Sequence, residues 1–176
     1  MISRDELLER VVRNARPESN RWAHMTAKVR ADPSVETFRW LILRLADPRV
    51  LARRFAVDVL FSLAFEQRPW RPEAVTAIRP RLALETDTET LGLLLASFAE
   101  YSGFRPLPEV RAHAGHPEPD IRAWVGTQLD YALPEPESVA VLLTLTADPH
   151  PNARGTALRT LAWECMSWRA AGSRLV

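Results

Sequence analysis

Apolar residues recur along this chain at the three- and four-residue spacing of a helix, in segments separated by polar turns. Ser3 and Glu6 form the capping-box pattern that opens a first helix. The apolar residues of that segment share one face: Leu7, Leu8, Val11 and Val12. Residues 50–65 are apolar nearly all round, with one narrow polar line at spacing four, so this helix is expected to have neighbours on both sides.

Proline-marked turns divide the chain into about ten helices of ordinary length. The chain has 14 prolines and 6 glycines, but neither the alternation of strands nor an Asn-Gly or Asp-Gly hairpin turn. The turns lie at residues 16–19, 32–34, 47–48, 68–72, 85–88, 104–108, 116–119, 133–136 and 148–151. These signals predict an all-α protein.

The turns also reveal a repeat. In three of them an arginine stands six positions after the first residue, in the pairs Asp47 and Arg53, His116 and Arg122, and Asp148 and Arg154. A small or apolar residue follows three positions later, at Ala56, Val125 and Ala157. A fourth unit fits with Gly92 in the place of the arginine, which gives column spacings of 39, 30 and 32 residues. Such spacings are typical of a solenoid, and residues 4–15 and 18–31 form a fifth, N-terminal pair.

At these positions the chain resembles the HEAT repeat family, particularly the short bacterial HEAT-like repeats of the phycobilisome-lyase type. The shared pattern is Asp-Pro, then Arg, then Ala in the second helix of each pair, over about residues 32–165. The resemblance implies one HEAT-like domain over residues 1–176, folded as a right-handed α-α superhelix of about five helix pairs. It also implies a ladder of Asp and Arg side chains between neighbouring repeats, interrupted at Gly92 and His116.

The composition and the N-terminal sequence indicate in which cellular compartment the protein is found. Cys165 is the only cysteine, which excludes an internal disulfide. The N-terminus is charged where a signal peptide would turn apolar, and every apolar stretch is shorter than about 18 residues. We therefore expect a cytoplasmic protein that does not enter a membrane.

In a solenoid the second helices line a concave surface on which a partner can bind. The repeat alignment places one polar line of residues 50–65, which includes Arg54 and Asp58, on that surface. It also generates the column Ser62, Tyr101, Tyr131 and Trp163, and beside it the column Asp58, Ser97, Thr127 and Arg159. A row of aromatic side chains with polar tips is typical of binding hot spots. The alternative is that these aromatic residues only pack the ends of the second helices.

The predicted function is accordingly a non-catalytic scaffold that binds a protein or peptide segment. Its predicted contact residues are Arg54, Asp58, Ser97, Tyr101, Thr127, Tyr131, Arg159 and Trp163. The cluster of Trp163, Met166 and Trp168 would be an incompletely covered end, so the protein is expected to be a monomer or an end-to-end dimer.

Charge supports an alternative function. Residues 1–81 hold 16 basic and 10 acidic residues, whereas residues 82–176 hold 7 and 12. This asymmetry can steer a charged partner, although it is also common on solvated surfaces. The alternative is a nucleic-acid-binding HEAT-like protein, similar to DNA glycosylases of this class that use concave Trp and Asp residues. Its candidate residues are Asp58, for which the aligned positions offer no partner tryptophan, and Arg39, Arg44, Arg49, Arg53, Arg54, Arg68 and Arg71.

The remaining candidate chemistry is weak. His113, His116 and His150 lie in proline-rich turns, where nothing fixes the geometry of a metal site. Cys165 lies on an apolar stretch, which is typical of a small buried side chain. The sequence has no nucleophile elbow, phosphate loop or dinucleotide fingerprint. We therefore predict no catalytic residue, no metal and no cofactor.

Overall fold

A computed structural model of the chain describes residues 2–14, 16–17, 19–65, 71–103, 107–132 and 135–172, of which the side chains of residues 131, 132 and 164–172 are not described. All regular structure in these ranges is helical, with no strand, which confirms the predicted all-α class. None of the described helices is both long and apolar enough to cross a membrane. The chain divides into two compact units, Met1–Ser102 and Gly103–Val176.

Six helices make up the first unit. They are α1 (Arg4–Asn14), α2 (Asn20–Arg30), α3 (Val35–Arg44), α4 (Val50–Ala64), α5 (Arg71–Leu84) and α6 (Thr88–Ser102). The capping box predicted for α1 is present, because the Ser3 backbone N–H donates to Glu6 at 2.8 Å and the Glu6 N–H donates to the Ser3 hydroxyl at 3.2 Å. Ser19 and Ser34 cap α2 and α3 with a side-chain oxygen, which accepts the backbone N–H of Trp22 and Thr37 respectively.

Helix α4 forms the centre of the first unit. Its side chains are buried on several sides, as the apolar pattern of residues 50–65 predicts, and α1, α2, α3 and α6 all pack against it. Phe55, Val57 and Leu60 have no exposed surface. Helix α6 packs on both α4 and α5, so it too is largely enclosed.

The second unit contains α7 (Pro108–Arg111), α8 (Pro119–Gln128), a 3-10 helix (Leu129–Ala132), α9 (Pro136–Leu145) and α10 (Pro151–Gly172). All four α-helices begin with proline, whose missing N–H would lack a helical partner at this position anyway. Helix α10 packs on α8 and α9, and Leu129, Leu142 and Ala157 are completely buried.

The three aligned arginines make the same contact with their own turns. Arg53 donates Nη1 to the carbonyl oxygens of Asp47 and Pro48, at 2.9 and 3.2 Å. Arg122 does so with His116 and Pro117, at 2.7 and 2.9 Å, and Arg154 with Asp148 and Pro149, at 2.7 and 3.1 Å. The shared register inferred from sequence is therefore confirmed at all three turns.

Two of these arginines also bond to a carboxylate in a later turn. For Arg53 this is the turn before α6, and for Arg122 the turn before α10. Arg53 donates Nε and Nη2 to Glu85, both at 2.8 Å, and Arg122 donates the same two groups to Asp148 at 2.6 and 2.8 Å. We call this arrangement, one guanidinium holding its own turn and the carboxylate of the next, the arginine clamp. The clamp ties α4 to the start of α6, and α8 to the start of α10.

Candidate binding groove

Helices α8 and α10 approach each other closely where α8 carries a glycine. A Cβ atom added to Gly126 would lie 3.2 Å from Cγ2 of Thr156, a tight contact that the glycine avoids. Thr160 of α10 donates its hydroxyl to the Gly126 carbonyl oxygen at 3.2 Å. This contact and the clamp of Arg122 on Asp148 fix the two helices side by side.

A shallow groove of about 260 Å³ follows the junction of these helices. Six residues line it: Thr127, Asp130, Thr156, Arg159, Thr160 and Trp163. Three of them, Thr127, Arg159 and Trp163, belong to the contact residues predicted from sequence. The structure therefore brings together this C-terminal part of the predicted set. We call this surface the α10 groove.

The α10 groove combines an exposed indole with charges of both signs. Trp163 is 69% exposed, which is unusual for so large an apolar side chain. Arg159 is also exposed, and its Nη2 donates to the Thr156 hydroxyl at 3.1 Å. Asp130 supplies a half-buried carboxylate, and the hydroxyl of Thr127 bonds to the Ala123 carbonyl oxygen of its own helix. Such a surface can accept an apolar side chain together with polar backbone groups.

The predicted residues of the first unit are engaged in contacts of their own. Arg54 forms an ion pair with Glu89 on α6. Asp58 accepts a hydrogen bond of 2.6 Å from Nε1 of Trp22, whose ring packs edge to face on Phe55. Both predicted residues are half-buried.

Ser97 and Tyr101 correct the predicted aromatic column. Their side chains are 0% and 3% exposed, so the expectation that they line an open surface is wrong. Tyr101 donates its hydroxyl to the Leu60 carbonyl oxygen at 2.8 Å, which joins α6 to α4. The open side of α6 instead carries Glu89 and Leu93. Tyr131 cannot be compared with this column, because its side chain lies outside the described residues.

Most arginines proposed for the nucleic-acid alternative are paired with carboxylates. Arg44 bonds to Asp5 and Arg49 to both Asp47 and Glu9. Arg53 and Arg54 bond to Glu85 and Glu89. Arg39 and Arg71 are exposed, and Arg68 lies outside the described residues. The Trp22 ring next to Asp58 is 4% exposed, so it is not open to a stacked base.

Two of the three turn histidines have a structural role. Nδ1 of His116 accepts the Glu118 N–H at 3.1 Å, and Nδ1 of His150 accepts the Asn152 N–H at 3.3 Å. Both bonds satisfy backbone donors at the start of a helix. Burial, with a smaller contribution from His116, lowers the pKa of His113. Within the described ranges, no group of three His, Cys, Asp or Glu side chains could hold a metal ion.

Comparison with known proteins finds no matching family model, no similar curated protein and no similar solved structure.

Two residues that shape these sites were not singled out by the sequence. Trp22 aligns with no repeat position that carries a tryptophan, so only the fold reveals its bond to Asp58. Gly126 could have been noticed, because a glycine inside a helix usually marks a close approach of another backbone.

Proposed function

We propose that this protein is a HEAT-like repeat protein, a right-handed α-α superhelix of about five helix pairs that acts as a non-catalytic scaffold. The identical turn contacts of Arg53, Arg122 and Arg154 support the repeat assignment, because three helices begin with the same bonds. The scaffold binds a segment of a partner protein in the α10 groove. The observation that carries this proposal is the 69% exposure of Trp163 beside Arg159 and Thr127.

The shape and chemistry of the α10 groove favour an extended peptide over a small molecule. Small-molecule sites are usually enclosed cavities that surround most of their ligand, whereas this groove is small and open. An apolar peptide side chain would pack on Trp163, and a peptide carboxylate or carbonyl would accept from Arg159. The hydroxyls of Thr127, Thr156 and Thr160 border the path of such a segment.

Binding to the groove is tested by affinity capture from the source cell, followed by titration of the captured partner with purified variants. Trp163→Ala should weaken binding at least tenfold, about 1.4 kcal/mol, because exposed tryptophans at interfaces are frequent hot spots. Leu43→Ala is the matched control, since Leu43 is also 69% exposed but lies on α3. If Trp163→Ala binds every captured partner as tightly as the wild type, the groove is not the binding site.

Nucleic-acid binding by the arginine-rich N-terminal half is the alternative, and it is less well supported. Arg44, Arg49 and Arg53 already neutralise carboxylates, so fewer cations remain for phosphates. The two functions differ in their salt dependence. Affinity for duplex DNA should fall steeply between 50 and 200 mM salt, by about three orders of magnitude for six phosphate contacts, whereas peptide binding at Trp163 should change little.

A further inference from the structure

One face of α10 corresponds, by its position relative to the aligned arginine, to faces that are buried on α4 and α8. Counted from the aligned arginine, Leu158 and Leu161 follow at the fourth and seventh positions, and such residues share one side of a helix. The equivalent residues are Arg53, Val57 and Leu60 on α4, and Arg122 and Gly126 on α8 with Leu129 directly after it. We call the set of Arg154, Leu158 and Leu161 the clamp face of α10. It lies on a different side of the helix from Arg159 and Trp163.

The equivalent face of α4 is covered by α6, and that of α8 is covered by α10. Val57, Leu60 and Leu129 have no exposed surface. The covering helix donates a hydroxyl to a backbone carbonyl of the face in both cases, from Tyr101 to Leu60 and from Thr160 to Gly126. On α10, by contrast, Leu158 is 52% exposed and Leu161 is only half-buried.

Arg154 is already arranged as half of an arginine clamp. Its Nη1 is held by the carbonyl oxygens of Asp148 and Pro149, as in the two complete clamps. Its Nε and Nη2, which in Arg53 and Arg122 bond to a carboxylate, bond to none among the described residues. Because the side chain is held by its own turn, little conformational freedom remains to be lost when a carboxylate arrives.

The two complete clamps define the missing partner. Glu85 stands three residues before the first residue of α6, and Asp148 stands three residues before the first residue of α10. Each carboxylate also accepts at least one backbone N–H of its own turn, so it is fixed before the arginine binds. We propose that the clamp face of α10 docks a helical hairpin of another protein, whose connecting turn carries Asp or Glu three residues before the second helix.

A second copy of this chain does not supply that hairpin from its described residues. The carboxylates that stand three residues before a helix are already bound: Asp32 by Arg4, Asp47 by Arg49, Glu85 by Arg53, and Asp148 by Arg122. Residues 151–163 of α10 include no acidic residue, so this segment of a second copy offers no carboxylate to Arg154.

The first test gives the clamp face a hairpin of the required kind within the full chain. A copy of residues 132–163, inserted between Trp163 and Glu164, places the copied Asp148 26 residues after Arg154, the separation of Arg122 and Asp148. In this protein Arg154→Gln should lower Tm by about 3 °C more than in the parent chain. Asn in place of the copied Asp148 is the matched control, and it should remove that difference. Amides around Leu158 should also gain protection from hydrogen exchange.

Equal effects of Arg154→Gln in the inserted and parent proteins would overturn the proposal, as would an inserted hairpin that leaves Leu158 unprotected. A second measurement needs no insertion. A photo-crosslinking residue at position 158 of the full chain, in the source cell, should label a helix of another protein that has Asp or Glu three residues before it. Position 43 provides the background. Labelling of a second copy, or none above that background, contradicts the proposal, whereas the α10 groove is probed separately by Trp163→Ala.

Discussion

Arg122 holds the carboxylate of Asp148 by two parallel hydrogen bonds, 2.6 Å from Nε and 2.8 Å from Nη2, across 26 residues of chain. The same guanidinium donates Nη1 to the carbonyl oxygens of its own turn. One side chain therefore fixes both the start of α8 and the start of α10. Because the α10 groove is built from these two helices, the clamp also positions the proposed binding residues.

The complete and incomplete clamps should differ in their effect on stability. Arg53→Ala removes both 2.8 Å hydrogen bonds of the Glu85 carboxylate, whose side chain is 1% exposed, and leaves it an ion pair with Arg81 at 3.8 Å, which should cost about 3 kcal/mol. Arg154→Ala removes no carboxylate contact with a described residue and should cost about 1 kcal/mol, for its turn bonds. Urea denaturation of both variants measures the difference. Equal losses would mean that the carboxylate contact contributes nothing.

The clamp also predicts a dependence on pH. The hydrogen bonds from Arg122 lower the pKa of Asp148 from 3.8 to about 2, against the opposing effect of burial. Because the folded state binds this proton less readily, the stabilisation is complete above pH 3.8 and is lost as the pH falls through about 2. The deficit of Asp148→Asn in the free energy of unfolding should therefore be large at pH 6 and small near pH 2. Urea titrations across this range would contradict the account if the deficit stayed constant.

Substitution by alanine should affect stability differently at two glycines of the second unit. Gly155 has open space where a Cβ would lie, so Gly155→Ala should stabilise the protein by about 0.5–1 kcal/mol through helix propensity. At Gly126 the new methyl group meets Thr156 at 3.2 Å, which should offset this gain and leave Gly126→Ala about 1–2 kcal/mol less stable than Gly155→Ala. Thermal unfolding of the pair measures this, and an equal gain at both positions would show that α8 and α10 are not closely packed.

Two aromatic residues of the predicted column should separate stability from binding. Tyr101→Phe removes the hydrogen bond to the Leu60 carbonyl and should cost about 0.5–1.5 kcal/mol of unfolding free energy, without a change in partner affinity. Trp163→Ala, at an exposed position, should change stability by less than about 0.5 kcal/mol while it weakens binding. Denaturation and titration of each variant test both halves. A Tyr101→Phe protein with weakened binding would return Tyr101 to the site.

The sequence predicts the helices and their turns well because proline, capping residues and aligned arginines act locally. The spacing from Asp148 to Arg154 is enough to predict the turn bonds, since both groups belong to one helix start. The resemblance to HEAT repeats implied Asp–Arg contacts between neighbouring helix pairs, with an interruption at the unit of His116. Arg122 of that unit nevertheless bonds to Asp148. That the chain is one superhelix over residues 1–176 stays a prediction.

How deeply each side chain is buried could not be predicted from the spacing of the repeats alone. The sequence alignment put Gly92 in the arginine column, which matches Ser97 and Tyr101 with Arg159 and Trp163. In the structure Glu85 and Asp148 both stand three residues before a helix, so Leu91 takes the place of Arg154 and the alignment of α6 is off by one residue. Ser97 and Tyr101 therefore lie on the packed side of α6, whereas Glu89, Leu93 and Glu100 lie on its more open side. Only the three-dimensional arrangement shows which neighbours cover a given position, and the same reason explains why the bond from Trp22 to Asp58 was missed.

The most direct test of the proposed function follows the indole N–H signals of the protein by NMR during titration with the captured partner segment. The Trp163 signal should shift or broaden, together with the amides of Thr127 and Arg159. The signals of Trp22 and Trp40, whose N–H groups bond to Asp58 and Asp5, should stay in place. Binding that shifts Trp22 or Trp40 and leaves Trp163 unchanged would contradict the account.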